Sequence, residues 1–358
     1  MMRMGSRLSQ PTAHDHKQIF LKLHTQHRPG NTCIRAVEIL GGVWYDSDKQ
    51  GFQAVIRYNS EVKKVRIFAL QLNNDIRGLD EREEYIESLI SRLDVPELVV
   101  LPELSQLSYI GNTDIWQYAD QDGQRTASWA MRMAEKYHTI ISAGYLEAKD
   151  GDYYNAYMIA DSKRIFGKVY KSEGESFIFK RGDFPCIIET PFGNVAVGIC
   201  YDSRRKHFYD AISARAISLI LFPHGEPSDP KHQDQERATL DFFCRAYIKA
   251  FGVPVVYCNS IGAMGQMLGK TGAMMSKAGF ALCGNTKIYG SEKALDSKTK
   301  EAVGGEIKLV ERKRSADIRF YGHDIVKGNL LFRNFVIKPD IRNGVLFYEQ
   351  NKKKRMSH

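Results

Sequence analysis

A carboxylate, an ammonium group and a thiol stand in this sequence where apolar runs end. Glu103 follows the run 98–101 (LVVL) and Pro102, Lys168 closes 164–168 (RIFGK), and Cys200 follows 195–199 (VAVGI). Each would be costly to bury alone, but together they supply the parts of a nucleophilic site. An ordinary thiol, with a pKa of about 8.5, is only a few per cent thiolate at neutral pH, so Cys200 needs a base. Glu103 can take the thiol proton during attack and return it to a departing amine. Lys168 offers fixed positive charge where a carbonyl oxygen becomes negative, and the backbone N–H of Tyr201 would supply a second oxyanion donor. That set fits acyl transfer at a carbon–nitrogen bond. A thiol–imidazole pair of Cys200 with His207 or His224 is the competing arrangement, and it leaves the glutamate and the lysine without a role.

The elements that must position these groups follow from periodicity. Residues 64–72 (KVRIFALQL) alternate as a strand does, and 82–93 place Tyr85, Ile86, Leu89, Ile90 and Leu93 on one helical face. The apolar strand 98–101, a helix near 127–137 and strands near 139–145, 154–160 and 164–170 come next. After a hairpin-like turn at 191–194 follow the strand 195–199, a helix at 206–216, a strand at 219–222, a helix at 235–251 and a strand at 253–258. Strands of this apolar kind alternating with helices of ten to fifteen residues predict an α/β protein whose sheets are covered by helices. Strands near 279–288 and 305–310 follow without a helix between them. In such folds ligands bind beyond the carboxyl ends of strands, where the three groups stand.

The chain has 358 residues, 43% hydrophobic and 26% charged, which suits a globular domain and excludes disordered, collagenous and coiled-coil classes. The absence of an apolar run of about 18 residues, and of a continuous apolar stretch at 1–20, predicts a soluble, cytoplasmic protein with no membrane partner. Net charge is +9, yet 63–310 carry 31 basic and 32 acidic groups, against 8 and 5 in 1–62 and 12 and 5 in 311–358. The excess therefore sits in the extensions, which argues against a nucleic-acid-binding surface on the main body. The run 352–355 (KKKR) reads as a solvated tail. Six cysteines lie scattered with no metal-like spacing; Cys244, Cys258 and Cys283 read as core residues, and no metal site is expected. Tyr109, His224 and Glu226 neighbour strand ends and could line a pocket mouth. The methionine-rich stretch 264–275 reads as adaptable packing or a mobile loop.

Seven segments in order, VVLPELSQLSYIG (99–111), YYNAYMIADSKRIFGKVYK (153–171), ESFIFKRGDF (175–184), FGNVAVGICYDSRR (192–205), LILFPHG (219–225), FFCRAYIKAFGVPVVYCNSIG (242–262) and GFALCGNTKIYG (279–290), resemble the nitrilase, or carbon–nitrogen hydrolase, superfamily. The resemblance spans 63–310, leaving 1–62 as a partly disordered N-terminal extension, within which 34–58 could add a strand or two, and 311–358 as a basic C-terminal one. It implies a four-layer αββα sandwich, a Glu-Lys-Cys triad, no metal or organic cofactor, and a homodimer or larger assembly. Carried over by position, the triad falls on Glu103 in LPEL, Lys168 in FGKVY and Cys200 in GICYD. A second glutamate that positions substrate falls on Glu175, with Glu173 as competitor. The chain departs from the family pattern at Gly167 before the lysine and Tyr170 two after it, in a short loop from Lys168 to Glu175, and in CYDSRRKHFYD, which lacks a Pro-Glu pair.

Tyr201-Asp202 after the nucleophile resembles the amidase and carbamoylase branches more than true nitrilases. The reading is therefore a hydrolase that cleaves a small-molecule amide through a thioester on Cys200 and releases ammonia or an amine. The alternatives are an N-carbamoyl amidohydrolase, which would also release carbon dioxide, acyl transfer to an amine in place of water, and a non-catalytic scaffold of the same fold.

Overall fold

A computed structural model of the chain describes residues 62–183, 186–290 and 301–352, together with the backbone of 21–28, 31–39 and 294–296. The chain divides into two compact units, Met1–Glu61 and Val62 onward. In the first, Leu21–Arg28 pairs antiparallel with Asn31–Ile39, so strand structure begins earlier than the sequence reading placed it. The rest of 1–30, of 34–58 and of the basic run 352–355 beyond Lys352 lies outside the described residues.

Beside a small three-stranded sheet of Pro227–Ser228, Ala281–Cys283 and Ile261–Gly262, the second unit is built on two large ones. One runs in the order Ala302–Leu309, Lys63–Leu70, Leu98–Val100, Ile140–Lys149, Asp152–Ala160, Ile165–Tyr170; the other runs Ala294–Asp296, Lys287–Tyr289, Val255–Asn259, Leu219–His224, Gly193–Val197, Ile187–Thr190. Strand alternation explains how they stack. Val65, Ile67, Leu98, Val100 and Val169 of the first sheet meet Val195, Val197, Leu219, Leu221 and Val256 of the second in one core. Residues of opposite parity face outward. Val99 and Ile141 pack under the helices Leu79–Ile90 and Gln124–Tyr137, while Ile220 and Phe222 pack under Lys206–Ser213 and Gln233–Phe251. The result is the expected αββα sandwich.

Cys244 and Cys258 are fully buried in the helix-facing and inter-sheet cores. The methionine-rich stretch forms the helix Gly269–Ala278, and Met264, Met267 and Met275 join a cluster with Tyr348. The described part of the C-terminal segment, 311–352, packs onto the same unit through the helix Lys338–Gln350, whose Tyr348 is buried. Among the described residues no helix is long and apolar enough to cross a membrane.

Candidate active site

The two sheets bring their strand ends together around Glu103. This carboxylate is buried and fully engaged: Oε1 accepts from Asn155 Nδ2 at 2.7 Å and Lys171 Nζ at 2.6 Å, and Oε2 accepts from the backbone N–H of Gly225 at 2.7 Å. Gly225 admits that approach because it lacks a side chain. A Cβ there would lie 2.4 Å from the Tyr109 ring and 2.9 Å from Glu103 Oε2. Lys171 Nζ also reaches both oxygens of Glu175, at 3.2 and 3.1 Å, and Tyr109 donates its hydroxyl hydrogen to Glu175 at 2.5 Å. Asn74 clamps Tyr109 in place by accepting from its backbone N–H and donating to its carbonyl.

The lysine of this cluster is Lys171, not the expected Lys168. Strand parity is the reason. In Ile165–Tyr170, Val169 points into the inter-sheet core, and Lys171, two residues on, shares its face. Lys168 pairs across the sheet with Met158, which belongs to the outer cluster with Tyr145. There its Nζ donates to Glu147 at 3.2 Å and to the carbonyl of Asp122 at 2.5 Å. Glu147 also accepts from the hydroxyls of Tyr145 and Tyr170, so Lys168 belongs to a separate, partly exposed polar group on the outer face. The ladder continues past Tyr170, with Lys171 N donating to Asn155 O at 2.8 Å, which fixes Lys171 beside Glu103. Two signals pointed there: the shortness of the Lys168–Glu175 loop, and the odd spacing of Lys168 from Lys171.

Cys200 opens the turn Cys200–Arg204 directly after the strand Gly193–Val197 and the residues Gly198 and Ile199, and holds φ at 49°. A non-glycine residue in that region is strained and persists only where its surroundings over-determine it. Ser203 donates to the Cys200 carbonyl at 2.6 Å. Burial, reinforced by the Glu103 carboxylate, pushes the thiol pKa well above its ordinary value, although Lys171 pulls the other way. Burial likewise opposes the charge on Lys171, but Glu103 and Glu175 outweigh it and hold the ammonium pKa well above normal. The Glu175 carboxyl, resisted by burial, is held below its ordinary value by Lys171 and the Tyr109 hydroxyl. A charged lysine thus sits among two carboxylates and a protonated thiol.

Glu175, the expected second glutamate, meets Lys171, whereas Glu173 turns away to Arg205 at 3.1 Å and Arg181 at 2.9 Å. Tyr201, next to Cys200, donates its hydroxyl hydrogen to Asp324, and the guanidinium groups of Arg204 and Arg205 lie over its ring. His224 Nε2 meets Ser203 Oγ at 3.2 Å, with Nδ1 3.2 Å from Glu226, and His207 Nε2 meets Ser172 Oγ at 2.8 Å. Tyr109 and His224 are buried, not at a pocket mouth.

Asp202, read from the sequence only as a branch marker, has a structural place that the sequence did not disclose. Buried in the turn that Cys200 opens, it accepts from Ser172 N at 2.9 Å, Ser172 Oγ at 3.0 Å and Glu173 N at 2.8 Å, tying that turn to the residues just after Lys171. Burial pushes its carboxyl up to about 7 against the pull of these donors. Asp202→Ala, which strands them, is expected to destabilise the fold by about 2–4 kcal/mol in urea titrations. A carboxyl at about 7 when folded and 3.8 otherwise contributes most below 3.8 and loses that contribution as pH rises through 7. The deficit of the variant therefore narrows from pH 4 to pH 8; a deficit that widened would show that Asp202 works as a low-pKa anion.

The carbon–nitrogen hydrolase family model matches residues 67–295, and the chain belongs to that family. A probable nitrilase from Schizosaccharomyces pombe is 29% identical over 253 residues, 66% of this chain and 84% of that protein. The 2-oxoglutaramate amidase of Bacillus subtilis is 30% identical over 118 residues, 32% of this chain and 42% of that enzyme. Among solved structures, a carbon–nitrogen hydrolase from Helicobacter pylori shares the fold with a TM-score of 0.58 at 19% identity, covering 68% of this chain and 89% of that one.

Proposed function

We propose that this carbon–nitrogen hydrolase cleaves the amide bond of a small molecule through a thioester on Cys200, with Glu103 as proton shuttle and Lys171 in the role first given to Lys168. The observation that carries this reading is the buried contact of Lys171 Nζ with Glu103 at 2.6 Å beside a strained cysteine. With the thiol pKa raised, attack needs a base in place, and Glu103 takes the proton as sulfur bonds to the amide carbon. Lys171 and the Tyr201 N–H face the oxygen as it becomes negative. The carbon–nitrogen bond then breaks as Glu103 returns the proton to nitrogen, and ammonia or an amine leaves. Water, giving a proton to Glu103, attacks the thioester; the acid departs and the thiol recovers its proton. Glu175, held by Lys171 and Tyr109, positions the substrate.

Intact-protein mass after early quenching, with small amides, carbamoyl compounds and nitriles, tests this directly alongside ammonia release. The expected result is an acyl adduct that forms with the parent protein, is absent in Cys200→Ala, and accompanies ammonia from amides. Carbon dioxide among the products would redirect the reading to carbamoyl substrates. Neither adduct nor turnover across the panel would favour the non-catalytic scaffold.

A further inference from the structure

An apolar cavity of about 180 Å³ opens over Glu175. Its walls are Phe177, Met267, Leu268, Met275, Ile337 and Ile341. One side is thus the methionine-rich helix and another the C-terminal segment, and three contacts lock them to the residues around Glu175. Asp340 accepts from the backbone N–H groups of Lys270 and Thr271, both at 2.8 Å, Ser176 donates to the Ile341 carbonyl at 3.1 Å, and the rings of Phe177 and Phe347 lie 5.7 Å apart. Gly344 makes the close approach possible, since a Cβ there would lie 2.2 Å from Ser176 Oγ.

We infer that this cavity receives the acyl chain of the substrate, and that the preferred substrates are uncharged amides with an unbranched apolar acyl group of about four to six carbons. The inference rests on the amidase reading above. Three observations carry it. The cavity is lined by Glu175, whose carboxylate also meets Lys171 at 3.1 Å, so it borders the cluster around Glu103. Both carboxylates on its wall are already engaged, Glu175 by Lys171 and Tyr109 and Asp340 by the helix N-terminus, so the remaining surface suits apolar matter. A volume of about 180 Å³ is small for a ligand site and suits a short chain. Residues 337–341 lie beyond the stretch 67–295 that matches the family model, so this wall belongs to the present chain and not to the shared domain.

Calorimetric titration of the Cys200→Ala protein with straight-chain primary amides, from acetamide to octanamide, tests the inference without turnover. Affinity is expected to rise about fourfold per methylene until the chain reaches five or six carbons and then level off, with a negative heat-capacity change. Ile341→Trp, at a partly exposed position that tolerates a larger side chain, should move that plateau to shorter chains. An affinity independent of chain length, or equal binding of an amide bearing a terminal carboxylate, would overturn the inference. Parallel assays of the parent enzyme keep the two readings apart. Hydrolysis with a flat chain-length profile removes the acyl pocket and leaves the hydrolase, whereas chain-dependent binding with no hydrolysis of any amide keeps the pocket and removes the amidase.

Discussion

Lys171→Ala is expected to lower kcat/KM for the proposed amide hydrolysis by about a thousandfold or more, while Lys168→Ala should leave it within about threefold of the parent. The contrast follows from where the two ammonium groups stand. Lys171 Nζ touches Glu103 and Glu175 and is almost wholly buried, so its removal deletes the positive charge that the proposed mechanism sets against the developing oxyanion, a loss of the size seen when such a donor is deleted. Lys168 Nζ, in its outer-face cluster with Glu147, is about a quarter exposed, and water can replace it there. Stability should divide the same way. Without Lys171 two carboxylates face each other in the interior, and breaking a buried ion pair from one side destabilises by about 3–5 kcal/mol. Activity is therefore compared at a temperature where circular dichroism shows each variant folded. Lys171→Met, which keeps the aliphatic stem, separates lost charge from lost packing. Equal losses for the two alanine variants would return the catalytic role to Lys168.

That three-residue displacement marks how far the sequence could be read. Element types were legible because each layer of the sandwich imposes its own pattern: alternation in 63–70, continuous apolar runs at 98–101 and 195–199, helical spacing in 79–90 and 233–251. Glu103 and Cys200 were legible because each stands immediately beyond an apolar strand. Lys168 and Lys171 both stand at the end of one strand, and the choice between them depends on which face meets the second sheet. That is a tertiary fact. Val169 carries it, since a valine in the inter-sheet core fixes the parity of its neighbours. Asn155, Asp202 and the Gly225 N–H escaped notice for a related reason, because their partners lie 52, 30 and 122 residues away and only the closed sandwich brings them together. An asparagine, an aspartate or a glycine carries no local mark of such a role.

The C-terminal segment was harder still, because its basic composition suggested a solvated extension while its fold-making residues are few. Tyr348→Ala is expected to destabilise the protein by about 3–5 kcal/mol, the range for truncating a large buried aromatic side chain. Its ring sits edge-on to Trp116 at 6.3 Å, and its hydroxyl accepts from the backbone N–H of Tyr153 at 2.8 Å and donates to Asp152 at 3.3 Å. Truncation therefore opens a cavity and strands a strand N–H together, whereas Tyr348→Phe keeps the packing and should give up only about 1–2 kcal/mol. At about 2 °C per kcal/mol for a domain of this size, Tyr348→Ala should melt about 6–10 °C below the parent. The same substitution should loosen the wall formed by 337–341, so selectivity among acyl chains should fall further than turnover of acetamide, whose short chain reaches that wall least. If Tyr348→Ala melted with the parent and kept its chain-length profile, the helix Lys338–Gln350 would lie outside the cooperative unit, and the cavity it helps enclose would have no part in choosing substrate.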